Sequence, residues 1–97
     1  MYDISDEIKI QEYNKLQVKK LVNKASLEIL SISLEKDAIF PEHTSPRDVE
    51  LVVLEGAIEF YINGTTYHLN AQQHFNFPKE TTHWVRAKTN SKFLIIR

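Results

Sequence analysis

The sequence of 97 residues contains no cysteine, only two glycines and only three prolines. The lack of cysteine excludes disulfide bonds and zinc sites with thiolate ligands. The scarcity of glycine and proline leaves no flexible linker, low-complexity tract or internal repeat. Neither sign of charge dominates, because 12 basic residues oppose 13 acidic ones and give a net charge of −1. Nucleic-acid binding requires a basic face, so we expect no nucleic-acid partner.

Long apolar runs are also missing from the chain. The segment Met1–Glu7 is acidic and does not resemble a signal peptide, and no later segment approaches the length of a membrane span. We therefore expect a cytoplasmic protein that does not enter a membrane. The length suits one domain over residues 1–97, with a modest core that burial against a partner would enlarge.

Apolar residues at every second position form the main pattern of the chain. The pattern is clearest at 57–62, where Asn63–Gly64 favours a type I′ turn and residues 65–69 form the returning strand of a hairpin. Residues 49–54 are almost continuously apolar and predict a strand buried on both faces. Further strands are predicted at 16–18, 26–34, 75–77, 84–86 and 93–96. Eight to ten short strands predict an all-β sandwich or barrel.

The N-terminal segment and the aromatic residues admit alternative interpretations. Residues 5–13 could form one helical turn, but the spacing of Ile8 and Ile10 favours a strand. Trp84 directly follows His83 and should face away from it, as a core residue or a dimer contact. Four phenylalanines lie in alternating strands and are predicted to be core residues rather than ligand contacts: Phe60, Phe75, Phe77 and Phe93.

Two short blocks, about forty residues apart, resemble the two motifs of the cupin family. The first cupin motif reads Gly-x5-His-x-His-x3–4-Glu-x6-Gly. His43 and Gly56 match it, whereas Asp37 replaces the first glycine and Ser45 the second histidine. The glutamate position falls on Val49, and Glu50 comes one residue late. Because a shift of one residue reverses the face of a strand, Glu50 reaches the site only if a bulge intervenes, for example near Pro46.

The second cupin motif reads Gly-x5-Pro-x-Gly-x2-His-x3-Asn. Pro78 and His83 match this motif. Gln72 and Glu80 stand in place of its two glycines, and Ala87 stands in place of its asparagine. The resemblance extends from about residue 27 to residue 97 and implies an all-β double-stranded β-helix, the cupin or jelly-roll barrel.

The resemblance also implies where a ligand or metal would bind. Cupins that use a metal hold it with three histidines and a glutamate, and only His43 and His83 of that set are present here. His74 and Glu50 are possible recruits. Two imidazoles alone seldom hold a divalent ion tightly, so we expect weak or absent binding of Mn, Fe, Ni or Zn. Without recruitment, His74 is a hydrogen-bonded strand residue and His68 a solvated one.

No specific activity can be assigned from the sequence, and three functions remain open. The first is binding of a small polar or acidic molecule in the barrel mouth by His43, His83, Ser45, Glu50 and His74. The second is a metal-dependent dioxygenase or isomerase that uses His43 and His83 with recruited ligands. The third is a module that serves chiefly for dimerisation. We expect a homodimer in each case, with residues 1–14 forming a strand or arm that two copies could exchange.

Overall fold

The computed structural model describes the whole chain, residues 1–97. It contains one short helix and nine strands, within the predicted range of eight to ten. The helix α1 is Glu7–Ile10, and the strands are β1 Leu16–Lys24, β2 Leu27–Leu34, β3 Ile39–His43, β4 Val49–Glu55, β5 Ala57–Ile62, β6 Thr65–Asn70, β7 His74–Phe77, β8 His83–Ala87 and β9 Ser91–Ile96. No helix has the length and apolarity that a membrane span requires.

The strands form two antiparallel sheets that enclose one core. The five-stranded sheet has the order β1-β2-β9-β4-β7, and the four-stranded sheet has the order β3-β8-β5-β6. Inward-facing apolar side chains of both sheets make up a core of 15 buried residues. Strands distant in sequence are therefore neighbours in space, and the predicted jelly-roll architecture is confirmed.

The Asn63–Gly64 hairpin forms as the sequence predicts. Both turn residues have positive φ angles, 51° for Asn63 and 72° for Gly64, which a type I′ turn requires. Ile62 pairs with Thr65 directly across this turn. The two-residue loop thus fixes the register of β5 and β6, and with it the face that each side chain occupies.

The phenylalanines are core residues, as predicted, but Trp84 is not. Phe60, Phe77 and Phe93 are buried, and Phe75 packs against the core. Trp84 faces away from His83, as predicted, because successive residues of β8 alternate between the two faces of the sheet. Its indole stacks on Tyr61 on the outer face of the sheet, with ring centroids 3.7 Å apart. The core assignment of Trp84 is therefore wrong, and a dimer contact stays a prediction.

Two strand predictions are wrong. The segment around Ile8 and Ile10 forms helix α1 and an irregular arm, which lies along β2 and β9 of the same chain. Strand β4 is buried on one face only, because Val49, Leu51 and Val53 point inward while Glu50 is exposed. The register shift nearest to Pro46 lies in β3, between Phe40 and His43, and Glu50 stays on the exposed face of β4.

Candidate functional site

A cavity of about 180 Å³ lies between the two sheets, near the ends of β3 and β8. Its walls are mostly apolar and consist of Leu30, Ile32, Phe40, Val49, Phe77 and Ile95. Its polar lining is His43, Thr44, Ser45, His83 and Arg97, and no acidic side chain is among the lining residues. An apolar cavity with a few placed polar groups is the usual form of a small-molecule site.

The two histidines of the cupin-like blocks meet in this cavity. The antiparallel pairing of β3 and β8 places His43 opposite His83. Their rings lie edge to face, with centroids 4.2 Å apart. The bulge in β3 makes this pairing possible, because Phe40 pairs with Val85 two residues further along β8. The fold thus brings together the two histidines that match the sequence motifs.

Hydrogen bonds to the backbone fix the orientation and tautomer of both rings. The Nδ1 of His43 lies 2.7 Å from the carbonyl oxygen of Pro41, and the Nδ1 of His83 lies 2.8 Å from that of Thr81. A carbonyl oxygen can only accept a hydrogen bond, so each Nδ1 carries the proton and donates. When a ring is neutral, its Nε2 then keeps a free lone pair.

The surroundings of His83 favour its neutral form. The residue is 3 % exposed, and its ring lies between Phe60, at a centroid distance of 5.3 Å, and Phe77, at 4.4 Å. Burial lowers the pKa of His83 below its ordinary value of 6.5. This effect is larger than that of the hydrogen bond to Thr81, which raises the pKa. The neighbouring His43 lowers it further.

Arg97 is a residue of the cavity that the sequence analysis missed. Strand β2 runs beside β9, so the backbone of Arg97 hydrogen-bonds to that of Glu28. The Arg97 Nε donates to Glu28 Oε1 at 2.6 Å, and Nη1 donates to Ser45 Oγ at 3.2 Å. The Nη2 group has no hydrogen-bond partner in the protein. The sequence gives no local signal for this arrangement, because the contacts span 69 and 52 residues.

Ser45, predicted as a ligand contact, already has a full set of partners. Its hydroxyl donates to the carbonyl oxygen of Arg47 at 2.7 Å and accepts from the Arg47 N–H at 3.3 Å and from Arg97. A hydroxyl has one donor and two acceptor positions, so all three are in use. Ser45 therefore orients Arg97 in the cavity wall.

Glu50 and His74, the two possible recruits, lie outside the cavity. They pair on the exposed face of β4 and β7, where the His74 Nε2 lies 2.6 Å from Glu50 Oε2. Their side chains are 52 % and 58 % exposed. The structure brings these two residues together, but it does not bring them to His43 and His83. His68 is exposed on β6.

The residues of the cavity do not fit a tightly held metal ion. No group of three or more histidine, cysteine, aspartate or glutamate side chains is placed to ligate one. Val49 and Ser45 stand where the cupin pattern has its glutamate and second histidine, and Val49 offers no ligand atom. The Arg97 guanidinium lines the same cavity and would repel a cation.

Comparison with known proteins agrees with this architecture. Residues 30–96 match the family model described as the cupin domain. An RmlC-like cupin protein from Desulfovibrio desulfuricans superposes with a TM-score of 0.86 and 21 % identity, covering 99 % of this chain and 95 % of the other. A conserved protein of unknown function from Streptococcus pyogenes gives 0.83 and 24 %, with coverages of 98 % and 84 %.

A third similar structure is KdgF from Halomonas sp., with a TM-score of 0.76 and 21 % identity, covering 89 % of this chain and 81 % of the other. At these identities the similarity establishes the fold alone. No curated protein matches the chain.

Proposed function

The chain belongs to the cupin family, and on that basis we propose that it binds a small polar molecule in the barrel cavity, against His43 and His83 and without a tightly held metal ion. Fold alone does not define function, so the proposal depends on the site. A cytoplasmic location and a homodimer also stay predictions.

One observation carries this proposal, namely the free Nε2 of a buried histidine. His83 is 3 % exposed, and its Nε2 has no hydrogen-bond partner in the protein. No side-chain nitrogen or oxygen of the chain is both fully occluded and without a partner. The Nε2 therefore opens onto the cavity that His83 lines, where a bound molecule can donate to it.

The four histidines of the chain allow a direct test by NMR. We would record the imidazole Cε1–H signals while adding a set of small polar molecules, and assign each signal with a single His→Gln variant. Binding in the cavity is expected to shift the signals of His43 and His83. The signals of His68 and His74, which lie on the outer surface, serve as internal controls and should not move. Uniform shifts, or none with any molecule, would contradict the proposal.

A metal-dependent enzyme is the second candidate, and the contact between the imidazole rings of His43 and His83, whose Nδ1 atoms alone are used by the backbone, favours it. Its test is elemental mass spectrometry of protein purified without an affinity tag or chelator, beside the His43→Ala/His83→Ala double variant. Our proposal predicts far less than one metal ion per chain in both proteins. A stoichiometric metal in the parent that is lost in the variant would favour the enzyme, with a dioxygenase- or isomerase-type reaction.

A further inference from the structure

The charge in the wall of the cavity identifies the class of molecule that it would hold. Arg97 is the one lining residue with a permanent charge, because the other ionisable residues of the lining are histidines. A guanidinium has five N–H donors, and only two of the Arg97 donors are used, on Glu28 and Ser45. The remaining donors include the whole Nη2 group, and they are suited to a carboxylate.

The acidic partner of Arg97 lies close to two further cations. Glu28 is the acidic partner of Arg97, but it also faces Lys20, whose Nζ lies 3.9 Å from Glu28 Oε2. Arg47 is a third cation near Glu28, and its Nη1 lies 3.5 Å from the main-chain oxygen of Arg97. Glu28 is therefore shared among three cations. The hydrogen bond from Arg97 lowers the pKa of Glu28, in agreement with an ionised partner.

At the end of the cavity lined by the two histidines, the ligand has to supply the hydrogen-bond donor. The Nδ1 protons of His43 and His83 are used by backbone carbonyls, so each ring presents its Nε2 as an acceptor when that ring is neutral. An alcohol hydroxyl can donate to such an acceptor, whereas an ionised carboxylate cannot. The apolar wall between the two ends suits a short carbon skeleton. The volume of about 180 Å³ is below the range of about 300–1,000 Å³ that holds drug-sized molecules.

We propose that the ligand is a short-chain hydroxycarboxylate, with its carboxylate on Arg97 and its hydroxyl donating to an imidazole Nε2 of the His43–His83 pair. This inference rests on the proposed function, because it names the chemical class of the molecule that the cavity binds. Arg97 is the specificity-determining residue for the carboxylate, and Ser45 and Glu28 position it.

Isothermal titration calorimetry with matched probes tests the inference. The acids are glycolate, lactate and 3-hydroxybutanoate. The controls are lactamide, which lacks the charge, and propanoate, which lacks the hydroxyl. Lactate is expected to bind about tenfold or more tightly than lactamide, since one charged hydrogen bond is worth about 1.5–3 kcal/mol. Propanoate is expected to bind severalfold more weakly than lactate.

Two variants separate a direct role of Arg97 from a structural one. Arg97→Gln is expected to weaken hydroxy-acid binding about tenfold or more and to leave lactamide unaffected. Glu28→Gln removes the counter-charge and is expected to tighten acid binding severalfold. Loss of binding in both variants would indicate that the ion pair only supports the fold, and would overturn the inference. Denaturant unfolding of both variants checks that the fold persists.

The remaining outcomes distinguish failure of the inference from failure of the proposed function. If neutral molecules bind as tightly as acids and Arg97→Gln has no effect, the ligand class is wrong. The proposed function stands in that case, provided that the His43 and His83 signals still shift. If no acid binds at millimolar concentration, the inference is overturned. If no molecule of any class shifts those signals, the proposed function fails as well.

Discussion

At the scale of single residues, three of the five non-glycine residues with a positive φ angle stand where the cupin motifs have glycine. Asp37, Gln72 and Glu80 have φ angles of 69°, 70° and 59°. They are the positions at which the cupin motifs carry glycine. The left-handed region costs a residue with a side chain roughly 1–2 kcal/mol. The chain has therefore kept the turns of the motif without the residue that best suits them.

Restoring glycine at two of these positions is expected to stabilise the protein. Gln72 and Glu80 are exposed, and no hydrogen bond or ion pair involves their side chains. Gln72→Gly and Glu80→Gly should each raise the free energy of unfolding by up to about 1 kcal/mol, measured by chemical denaturation. Lys36→Gly is the control, because Lys36 lies in a turn without a positive φ. It should cost about 0.5–1 kcal/mol. Destabilisation by all three glycines would refute this explanation.

The two glycines of the chain are expected to differ in their tolerance of alanine. Both have positive φ angles, 85° at Gly56 and 72° at Gly64. A Cβ at Gly56 would collide with Ser91 Oγ and the carbonyl oxygen of Asn90, whereas a Cβ at Gly64 meets open space. Gly64→Ala should cost about 1–2 kcal/mol of stability and Gly56→Ala about 3 kcal/mol or more. Equal losses in denaturant unfolding would mean that the crowding at Gly56 is relieved at no cost.

His83 is expected to make stability depend on pH. Its pKa is lowered in the folded chain by burial, whereas in the unfolded chain it lies near 6.5. Between these two values the unfolded state binds more protons, so the free energy of unfolding rises with pH. The contribution is present above about pH 6.5 and is lost as the pH falls towards the folded pKa. His83→Phe should flatten this part of the stability profile, and His68→Gln, at an exposed position, should not.

At the scale of elements, the fold places a buried lysine under the N-terminal arm. Lys92 is 6 % exposed, and its Nζ donates to the carbonyl oxygens of Ile8 at 2.8 Å and Lys9 at 3.3 Å. The same ammonium lies 3.6 Å from Glu55 Oε1, and Glu55 also accepts a hydrogen bond from Tyr13. A four-residue helix is too short to be stable by itself, so these contacts hold α1 on the barrel.

Removing the Lys92 ammonium is expected to release the arm and leave the barrel folded. In Lys92→Met, the amide protons of residues 8–13 should exchange faster, while those of β4 and β9 should stay protected. Amide hydrogen exchange followed by NMR measures both regions in one experiment. Lys9→Met is the control, since Lys9 is exposed on the arm and its side chain makes no contact of this kind. Unchanged exchange in the arm would show that the lysine does not hold it.

The elements differ in how far the sequence determines them. The Asn63–Gly64 hairpin is predictable because its signal is local, and the 57–62 alternation continues directly into it. For residues 5–13 the sequence allows a helical turn or a strand, and it does not decide between them because the contact that places α1 comes from Lys92, more than 80 residues away. Contacts between residues distant in sequence also limit how much of the site can be predicted. The motifs carry His43 and His83, but Arg97 reaches the cavity only through the pairing of β2 and β9.

At the scale of the whole molecule, each sheet ends in strands that pair on one side only. The edge strands are β1 and β7 in one sheet and β3 and β6 in the other. Unpaired edges offer free backbone groups to other chains, and a two-fold dimer, the commonest kind of oligomer, is one way to cover them. A chain of this length also buries a comparatively small fraction of its surface by itself.

We expect a two-fold dimer in solution, twice the 11.3 kDa mass of one chain. Light scattering coupled to size exclusion at tens of micromolar measures this mass. A second measurement near one micromolar tests whether dissociation follows dilution, as mass action requires. A mass of 11.3 kDa at the higher concentration would refute the dimer.

The stack of Trp84 on Tyr61 gives the molecule a built-in optical reporter. Trp84 is the sole tryptophan, and its indole lies 3.7 Å from the Tyr61 ring centroid at an interplanar angle of 7°. Two chromophores held in this way should give a distinct near-ultraviolet circular dichroism signal. The pair joins β5 to β8, the strand that carries His83. Tertiary order next to the cavity can therefore be followed in the unlabelled protein, independently of the far-ultraviolet signal of the sheets.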